Sequence, residues 1–61
     1  DWPKVELKVG DLVKHFHNGS YGIVISEPRA WREIIVCGVQ WCYTNKIHLI
    51  DVDFLDKLND T

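Results

Sequence analysis

Short runs of apolar residues, separated by turn-forming residues, follow one another along most of the 61-residue chain. Residues 12–16 and 21–26 are rich in β-branched and aromatic side chains, a composition typical of strands. Asn18 and Gly19 lie between these runs, and both residue types accept the positive φ that a tight hairpin turn demands. The pattern therefore predicts a β-hairpin over residues 9–26.

The longest apolar run predicts the central strand of the fold. Residues 33–41 are almost wholly apolar, as expected of a strand that is buried for much of its length. Pro28 lacks a backbone N–H, so residues 27–32 are predicted to form the longest loop. A second turn is predicted at residues 42–45, and a fourth strand at residues 46–50.

The segment at residues 51–58 permits two interpretations. Asp51 is suited to cap a helix whose apolar residues Val52, Leu55 and Leu58 are spaced by three. A single 3₁₀ turn over residues 52–55, followed by a short closing strand, fits equally well, and we prefer it in so short a chain. The fold class predicted is all-β: a small antiparallel barrel of about five strands, with a short 3₁₀ turn before the last strand.

Length and composition indicate one small domain without a deep catalytic cleft. A chain of 61 residues buries only about 60% of the surface that it exposes when unfolded. Its 46% hydrophobic and 26% charged residues are ordinary for a globular domain. We expect residues 1–8 to form an N-terminal arm or edge segment, residues 9–58 the barrel, and residues 59–61 an acidic tail.

Charge and hydropathy limit the partners. No apolar run approaches the roughly 20 residues that span a bilayer, and a signal-peptide pattern is not seen, so we expect a cytoplasmic protein with no membrane contact. The net charge is −2, with four aspartates against Lys57 in residues 51–61. Nucleic-acid binding usually depends on a clustered basic face, and no such cluster is visible in the sequence.

Residues 9–13 (Val-Gly-Asp-Leu-Val), a turn containing Gly19, and residues 22–24 (Gly-Ile-Val) resemble the opening hairpin of SH3-like barrels. The pattern is similar to that of KOW-type ribosomal and transcription-factor modules, of the hemimethylated-DNA-binding family, and of small phage-encoded proteins of unknown role. The resemblance covers most of residues 9–58 and implies an SH3-like barrel. In the matched residues we expect Gly10 and Gly22 to relieve backbone crowding, and Val13 and Val24 to point inward.

Metal-ligand atom types are present but scattered. They belong to His15, His17, Cys37, Cys42 and His48. A tetrahedral zinc site needs four converging ligands, and the chain has no pair of cysteines separated by two residues, as a zinc ribbon requires. A metal-binding domain is therefore the weakest of three functional hypotheses.

Neither cysteines nor carboxylates predict catalysis. Cys37 and Cys42 would lie about 17 Å apart on an extended strand, so we expect free thiols, with Cys37 as a small core residue. Asp51, Asp53 and Asp56 lack the glycine and the closing glutamate of an EF-hand calcium loop and are predicted to form a solvated acidic surface. We expect no enzyme activity, no cofactor and no small-molecule substrate.

Aromatic and arginine residues give the clearest binding signal. Tyr, Trp and Arg are enriched at binding hot spots, and a core this small does not bury every ring. The candidate binding residues are Lys14, Tyr21, Arg29, Trp31, Arg32 and Tyr43. In an equally weighted alternative, the Trp31 side chain covers an open end of the barrel and Arg29 and Arg32 lie beside it. Trp41, at the end of the apolar strand, is assigned to the core.

The function predicted is that of a non-enzymatic recognition module, related by resemblance to small phage proteins. It binds a protein partner, or it self-associates when the arm at residues 2–9 adds a strand to another copy. The alternative is a KOW-type nucleic-acid-binding domain that uses Lys14, Tyr21 and the group Arg29, Trp31 and Arg32. A KOW module ordinarily carries more basic residues around its first loop, so we prefer a protein partner.

Overall fold

The computed structural model describes residues 7–58, which fold into a curled antiparallel β-sheet. In chain order the elements are β1 (Leu12–His15), β2 (Tyr21–Val24), β3 (Arg29–Trp31), β4 (Ile34–Trp41), β5 (Ile47–Asp51), a 3₁₀ turn (Val52–Phe54) and β6 (Leu55–Lys57). The predicted all-β class is confirmed, with the 3₁₀ turn directly before the last strand. The predictions for residues 1–6 and 59–61 lie outside the described residues. In residues 7–58, no helix has the length and apolar character needed to cross a membrane.

β4 is the centre of the sheet because it pairs with three strands. β5 pairs with β4 from Val36 to Gln40. β2 pairs with β4 from Val39 to Trp41, and β3 pairs with it from Ile34 to Val36. Both of these stretches overlap the part of β4 that pairs with β5. β2 and β3 therefore pair with one side of β4, and β5 pairs with the other side. If β2 and β3 are counted as one interrupted strand, the described sheet has five strands, as predicted.

The prediction of a loop at residues 27–32 is wrong, because these residues contain β3. Between the pairs Val24↔Val39 and Arg29↔Val36, residues 25–28 face only residues 37–38, so the ladder is interrupted by a bulge and then resumes. Pro28 lies in this bulge, where its missing N–H removes no ladder hydrogen bond. Pairing with β4 therefore resumes directly after the proline.

The core consists of small apolar side chains. It contains Leu7, Val13, Val24, Cys37, Val39, Val52 and Leu55. Burying one such valine or leucine contributes about 1.5–3 kcal/mol. The expected inward orientation of Val13 and Val24 is confirmed, since neither has any exposed surface. Leu7 lies in the segment predicted to be an arm, yet it packs into this core.

Gly10 and Gly22 are required for different reasons. A Cβ on Gly22 would lie 2.5 Å from Cγ1 of Val39, so the predicted crowding there is confirmed. Around Gly10 no atom of a more distant residue lies within 4 Å of such a Cβ, so any crowding there is with the local backbone. Gly10 has φ +99°, a conformation that glycine adopts without the steric cost of a side chain.

Asp11 fastens the segment before β1 to the last strand. Its carboxylate Oδ2 accepts a hydrogen bond of 2.8 Å from the backbone N–H of Lys8 and lies 3.5 Å from Nζ of Lys57 in β6. The Lys8 hydrogen bond, and then the Lys57 charge, hold the pKa of Asp11 below its ordinary value of 3.8, although partial burial opposes them. The ionised carboxylate thus helps to hold the start of β1 against the neighbouring strand β6.

Candidate binding site

Two loops lie side by side at one end of the sheet. The first loop, residues 16–19, joins β1 to β2, and the second loop, residues 42–45, joins β4 to β5. They are neighbours because β2 pairs with β4, and the N–H of Cys42 donates to the carbonyl of Tyr21 over 2.9 Å. Segments distant in sequence thereby form one surface.

Both loops are closed by the same hydrogen bonds. His15 donates its N–H to the carbonyl of Ser20 over 2.8 Å, and Trp41 donates to that of Lys46 over 2.9 Å. In each loop the backbone N–H of the fourth residue also donates a hydrogen bond to the carbonyl of the residue that precedes the loop, from Gly19 to His15 and from Asn45 to Trp41. The chain therefore uses one four-residue turn twice, and the predicted Asn-Gly pair forms the last two positions of the first one.

The residues in the last two loop positions explain this shared geometry. Gly19 and Asn45 occupy the fourth position with φ of +75° and +61°, a region that glycine and asparagine adopt more readily than other residues. One position earlier, Asn18 Oδ1 and Thr44 Oγ1 each accept a hydrogen bond from the N–H two residues ahead. Local side-chain chemistry therefore fixes both loops.

A cleft of about 340 Å³ opens between the two loops. Three aromatic residues line it, Tyr21, Trp41 and Tyr43. Tyr21 is 48% exposed and Tyr43 82% exposed, whereas Trp41 is half-buried and packs against the core. Large rigid rings offer much contact area, so the cleft suits a flat or apolar group.

Two imidazoles flank Trp41 on the cleft wall. Trp41 Nε1–H donates to Nδ1 of His48 over 3.0 Å, and the backbone N–H of His17 donates to Nδ1 of His15 over 3.2 Å. A neutral imidazole whose Nδ1 accepts a hydrogen bond carries its proton on Nε2. Each ring therefore keeps an Nε2–H donor, for which no acceptor is found among residues 7–58.

The cleft wall offers hydrogen-bond donors and no carboxylate. Lys46 and the hydroxyls of Ser20 and Thr44 line it beside the imidazoles, and among the described lining residues there is no Asp or Glu. Lys14 is not among the lining residues but lies beside the cleft, with its Nζ 5.7 Å from the centre of the Tyr21 ring. The arrangement suits a ligand that combines a negative charge with a flat or apolar group.

Comparison with known proteins finds no family model, no curated protein and no solved structure that matches the chain. The SH3-like and KOW-type resemblance stays a prediction. The site is therefore judged by its own chemistry.

The six candidate binding residues divide into two groups. Tyr21 and Tyr43 line the cleft, and Lys14 lies beside it through its contact with the Tyr21 ring. Trp31 lies at the other end of the sheet, because it pairs with Ile34 at the start of β4 whereas Trp41 ends that strand. At about 3.3 Å per residue, the two ends of β4 are roughly 23 Å apart.

Arg29, Trp31 and Arg32 belong to the hairpin formed by β3 and β4. Trp31 is 54% exposed, and Cζ of Arg32 lies 5.1 Å from the centre of its ring. Such an exposed cation–π contact contributes about 0.5–1 kcal/mol. Arg32 has φ +59°, as the first central residue of a tight two-residue hairpin loop requires. This contact and turn give Arg32 a structural role of its own.

The other candidate chemical groups are not assembled. Among residues 7–58, no three His, Cys, Asp or Glu side chains are placed to hold a metal ion. Both thiols are free, and burial raises the pKa of Cys37. Asp51 accepts a hydrogen bond of 2.9 Å from the N–H of Asp53 and caps the 3₁₀ turn. These residues thus have structural roles.

Sequence reasoning missed His15, His48 and Lys46 as binding residues, and it assigned Trp41 to the core alone. One signal was present. A hairpin closed by the predicted turn at residues 42–45 places His48 diagonally across from Trp41, near enough for long side chains to meet. The juxtaposition of His15 with Trp41, whose ring centres lie 6.1 Å apart, depends on strand order and had no local signal.

Proposed function

We propose that this chain is a non-enzymatic recognition module whose cleft binds an acidic segment of a protein partner. The observation that supports the proposal is the cleft wall, where aromatic faces lie beside hydrogen-bond donors and a lysine and where the described residues include no carboxylate. An Asp or Glu next to an aromatic or aliphatic residue satisfies both features. Tyr and Trp are also the residue types that most often dominate binding energy.

The hydrogen bonds of the two histidines argue against general-base catalysis in the cleft. A general base needs an imidazole lone pair directed at the proton that it removes. In His15 and His48 the Nδ1 lone pair already accepts a protein N–H, and Nε2 carries a proton. The two free thiols fit a reducing compartment, so a cytoplasmic location belongs to the proposal. Phage derivation belongs to it on the resemblance alone.

Single-stranded nucleic acid is the second candidate. Lys14 lies over the Tyr21 ring, and bases stack on aromatic side chains while lysines contact the phosphates. Against this candidate, Arg29 and Arg32 belong to the hairpin at the other end of the sheet, so only Lys14 and Lys46 supply charge at the cleft. Two lysines neutralise little phosphate, and the chain as a whole is acidic.

An NMR titration of the full chain separates the two candidates. The probes are short peptides that alternate Asp or Glu with Phe or Leu, the same peptides with Asn and Gln, and a single-stranded oligonucleotide. We expect the acidic peptides to shift the amide signals of both loops and the neutral peptides to bind more weakly. Tyr43→Ala should weaken binding about 30-fold, the factor for a 2 kcal/mol hot spot.

Trp31→Ala is the matched control, because Trp31 is also exposed but lies at the other end of the sheet. It should leave peptide binding unchanged. Oligonucleotide binding that falls steeply with salt, without peptide binding, would favour the nucleic-acid candidate. Acidic peptides that leave the loop signals unmoved would refute the proposal.

A further inference from the structure

β5 is an open edge of the sheet. Among residues 7–58 it pairs with β4 alone. Natural edge strands are usually protected by lysine, by proline or by a bulge, because unpaired backbone groups recruit other strands. Residues 47–50 of β5 contain none of these protections.

The hydrogen-bond pattern of β4 shows which residues of β5 point outward. Trp41 donates to Lys46, so its backbone groups face β5, whereas Gly38 bonds to the chain at Ile25 and Ser26. In an antiparallel ladder this direction alternates along the strand. The odd-numbered residues of β4 therefore face β5, and the even-numbered residues face β2 and β3.

It follows that two residues of β5 present unpaired backbone groups. His48 and Ile50 are opposite Val39 and Cys37, which face β5, and so they bond to β4. The N–H and C=O groups of Ile47 and Leu49 therefore point away from the described sheet.

The side chains of the same two residues are exposed and apolar. Ile47 is 56% exposed and Leu49 is 59% exposed, on one face of the sheet. Gly38, opposite Leu49, has no side chain, and Ile25 packs over it while remaining 38% exposed itself. The open edge is thus continuous with an apolar patch.

We infer that β5 pairs in antiparallel orientation with β5 of a second copy of this chain. Lys46 precedes the strand and Asp51 ends it. In antiparallel pairing about a two-fold axis, Lys46 of each copy lies near the end of β5 that carries Asp51 of the other copy. A parallel arrangement would instead place like charges together. The charges therefore favour a self-complementary, two-fold interface.

The interface is small, which sets the strength of the association. One strand of five residues and its neighbouring patch bury less than the roughly 1,200 Å² at which stable interfaces begin. We expect a weak dimer, with Kd between about 10 μM and 1 mM. The interface shares Lys46 with the cleft but involves none of its aromatic residues, and Leu49, the residue changed in the test, does not line the cleft, so the two proposals are tested separately.

Sedimentation equilibrium of the full chain from about 10 μM to 1 mM tests the inference. The apparent mass should rise from that of one 7.1 kDa chain towards that of two. Leu49→Lys adds an edge lysine at an exposed position and should abolish this rise. Val9→Lys is the matched control, because Val9 is 57% exposed and lies outside β5, and it should associate as the wild type does.

Hydrogen exchange supplies a readout specific to the edge. The amides of Ile47 and Leu49 should exchange more slowly as concentration rises, while those of His48 and Ile50 should be protected at every concentration. Leu49→Lys should still bind acidic peptides if the cleft functions as proposed. A wild type that stays monomeric at 1 mM, or one whose association leaves Ile47 and Leu49 unprotected, would overturn the inference.

Discussion

Adding a single methyl group at Gly22 should weaken the fold measurably. In Gly22→Ala the new Cβ would lie 2.5 Å from Cγ1 of Val39, 2.9 Å from Cε3 of Trp41 and 3.0 Å from the backbone oxygen of Gln40. Rotating one side chain does not remove all three contacts, because one of them is to the backbone. The strands β2 and β4 have to separate locally.

Two opposing contributions set the magnitude. Overpacking a tight site costs about 1–3 kcal/mol. Replacing glycine by alanine also restricts the unfolded chain, which returns about 0.4–1 kcal/mol. The net expectation is a loss of about 1–2 kcal/mol in the free energy of unfolding. For a domain of this size, each kcal/mol lowers Tm by roughly 4–8 °C.

Urea unfolding followed by tryptophan fluorescence and by circular dichroism measures this loss. Val39→Ala removes the atom in closest contact, so the penalty of Gly22→Ala should be smaller by about 1 kcal/mol in that background. Sulfate in the buffer keeps the weaker variants folded. A Gly22→Ala protein as stable as the wild type would refute the reasoning, and so would an equal penalty in both backgrounds.

Two further predictions concern Asn45 and Asp11. Asn45→Ala should lower stability by about 1 kcal/mol, because the left-handed region costs most residues about 1–2 kcal/mol, whereas asparagine tolerates it and glycine pays no such cost; Asn45→Gly should therefore change stability little. Thermal unfolding of both variants checks this, and equal Tm values would contradict it. The lowered pKa of Asp11 means that its stabilisation is present above pH 3.8 and is lost as the pH falls through the lower folded-state pKa. Urea midpoints of wild type and Asp11→Asn should therefore differ at pH 7 and approach each other only as the pH falls below 3.8 and through the folded-state pKa, and a constant difference would count against this ion pair.

Sequence reasoning predicted the elements of this fold better than their grouping. The turn at residues 42–45 and the apolar strand before it were found because turn residues and apolar runs are local signals. β3 was missed because Pro28 reads as the end of a strand, whereas its neighbours form a bulge that lets pairing resume. The sequence shows that a proline lacks a backbone N–H. It does not show whether a neighbouring strand would have accepted a hydrogen bond from that position.

The candidate site shows the same limit. Tyr21, Trp31 and Tyr43 were grouped because each is a large ring near a predicted turn, and residue type alone does not separate them. The length of β4 places Trp31 roughly 23 Å from the end where the two tyrosines lie. His48 belongs to the site because it accepts a hydrogen bond from Trp41, and that contact depends on the pairing register of β4 and β5.

The sequence by itself determined the all-β class, the inward valines and the two loops whose fourth residue is glycine or asparagine. Each of these follows from preferences within a few neighbouring residues. Only the tertiary structure decided that β2 lies beside β4, which brings the two loops together around a donor-lined aromatic cleft. It also decided that, among residues 7–58, β5 is left as an open edge. Strand order is set by contacts between residues distant in sequence, and local preference does not encode it.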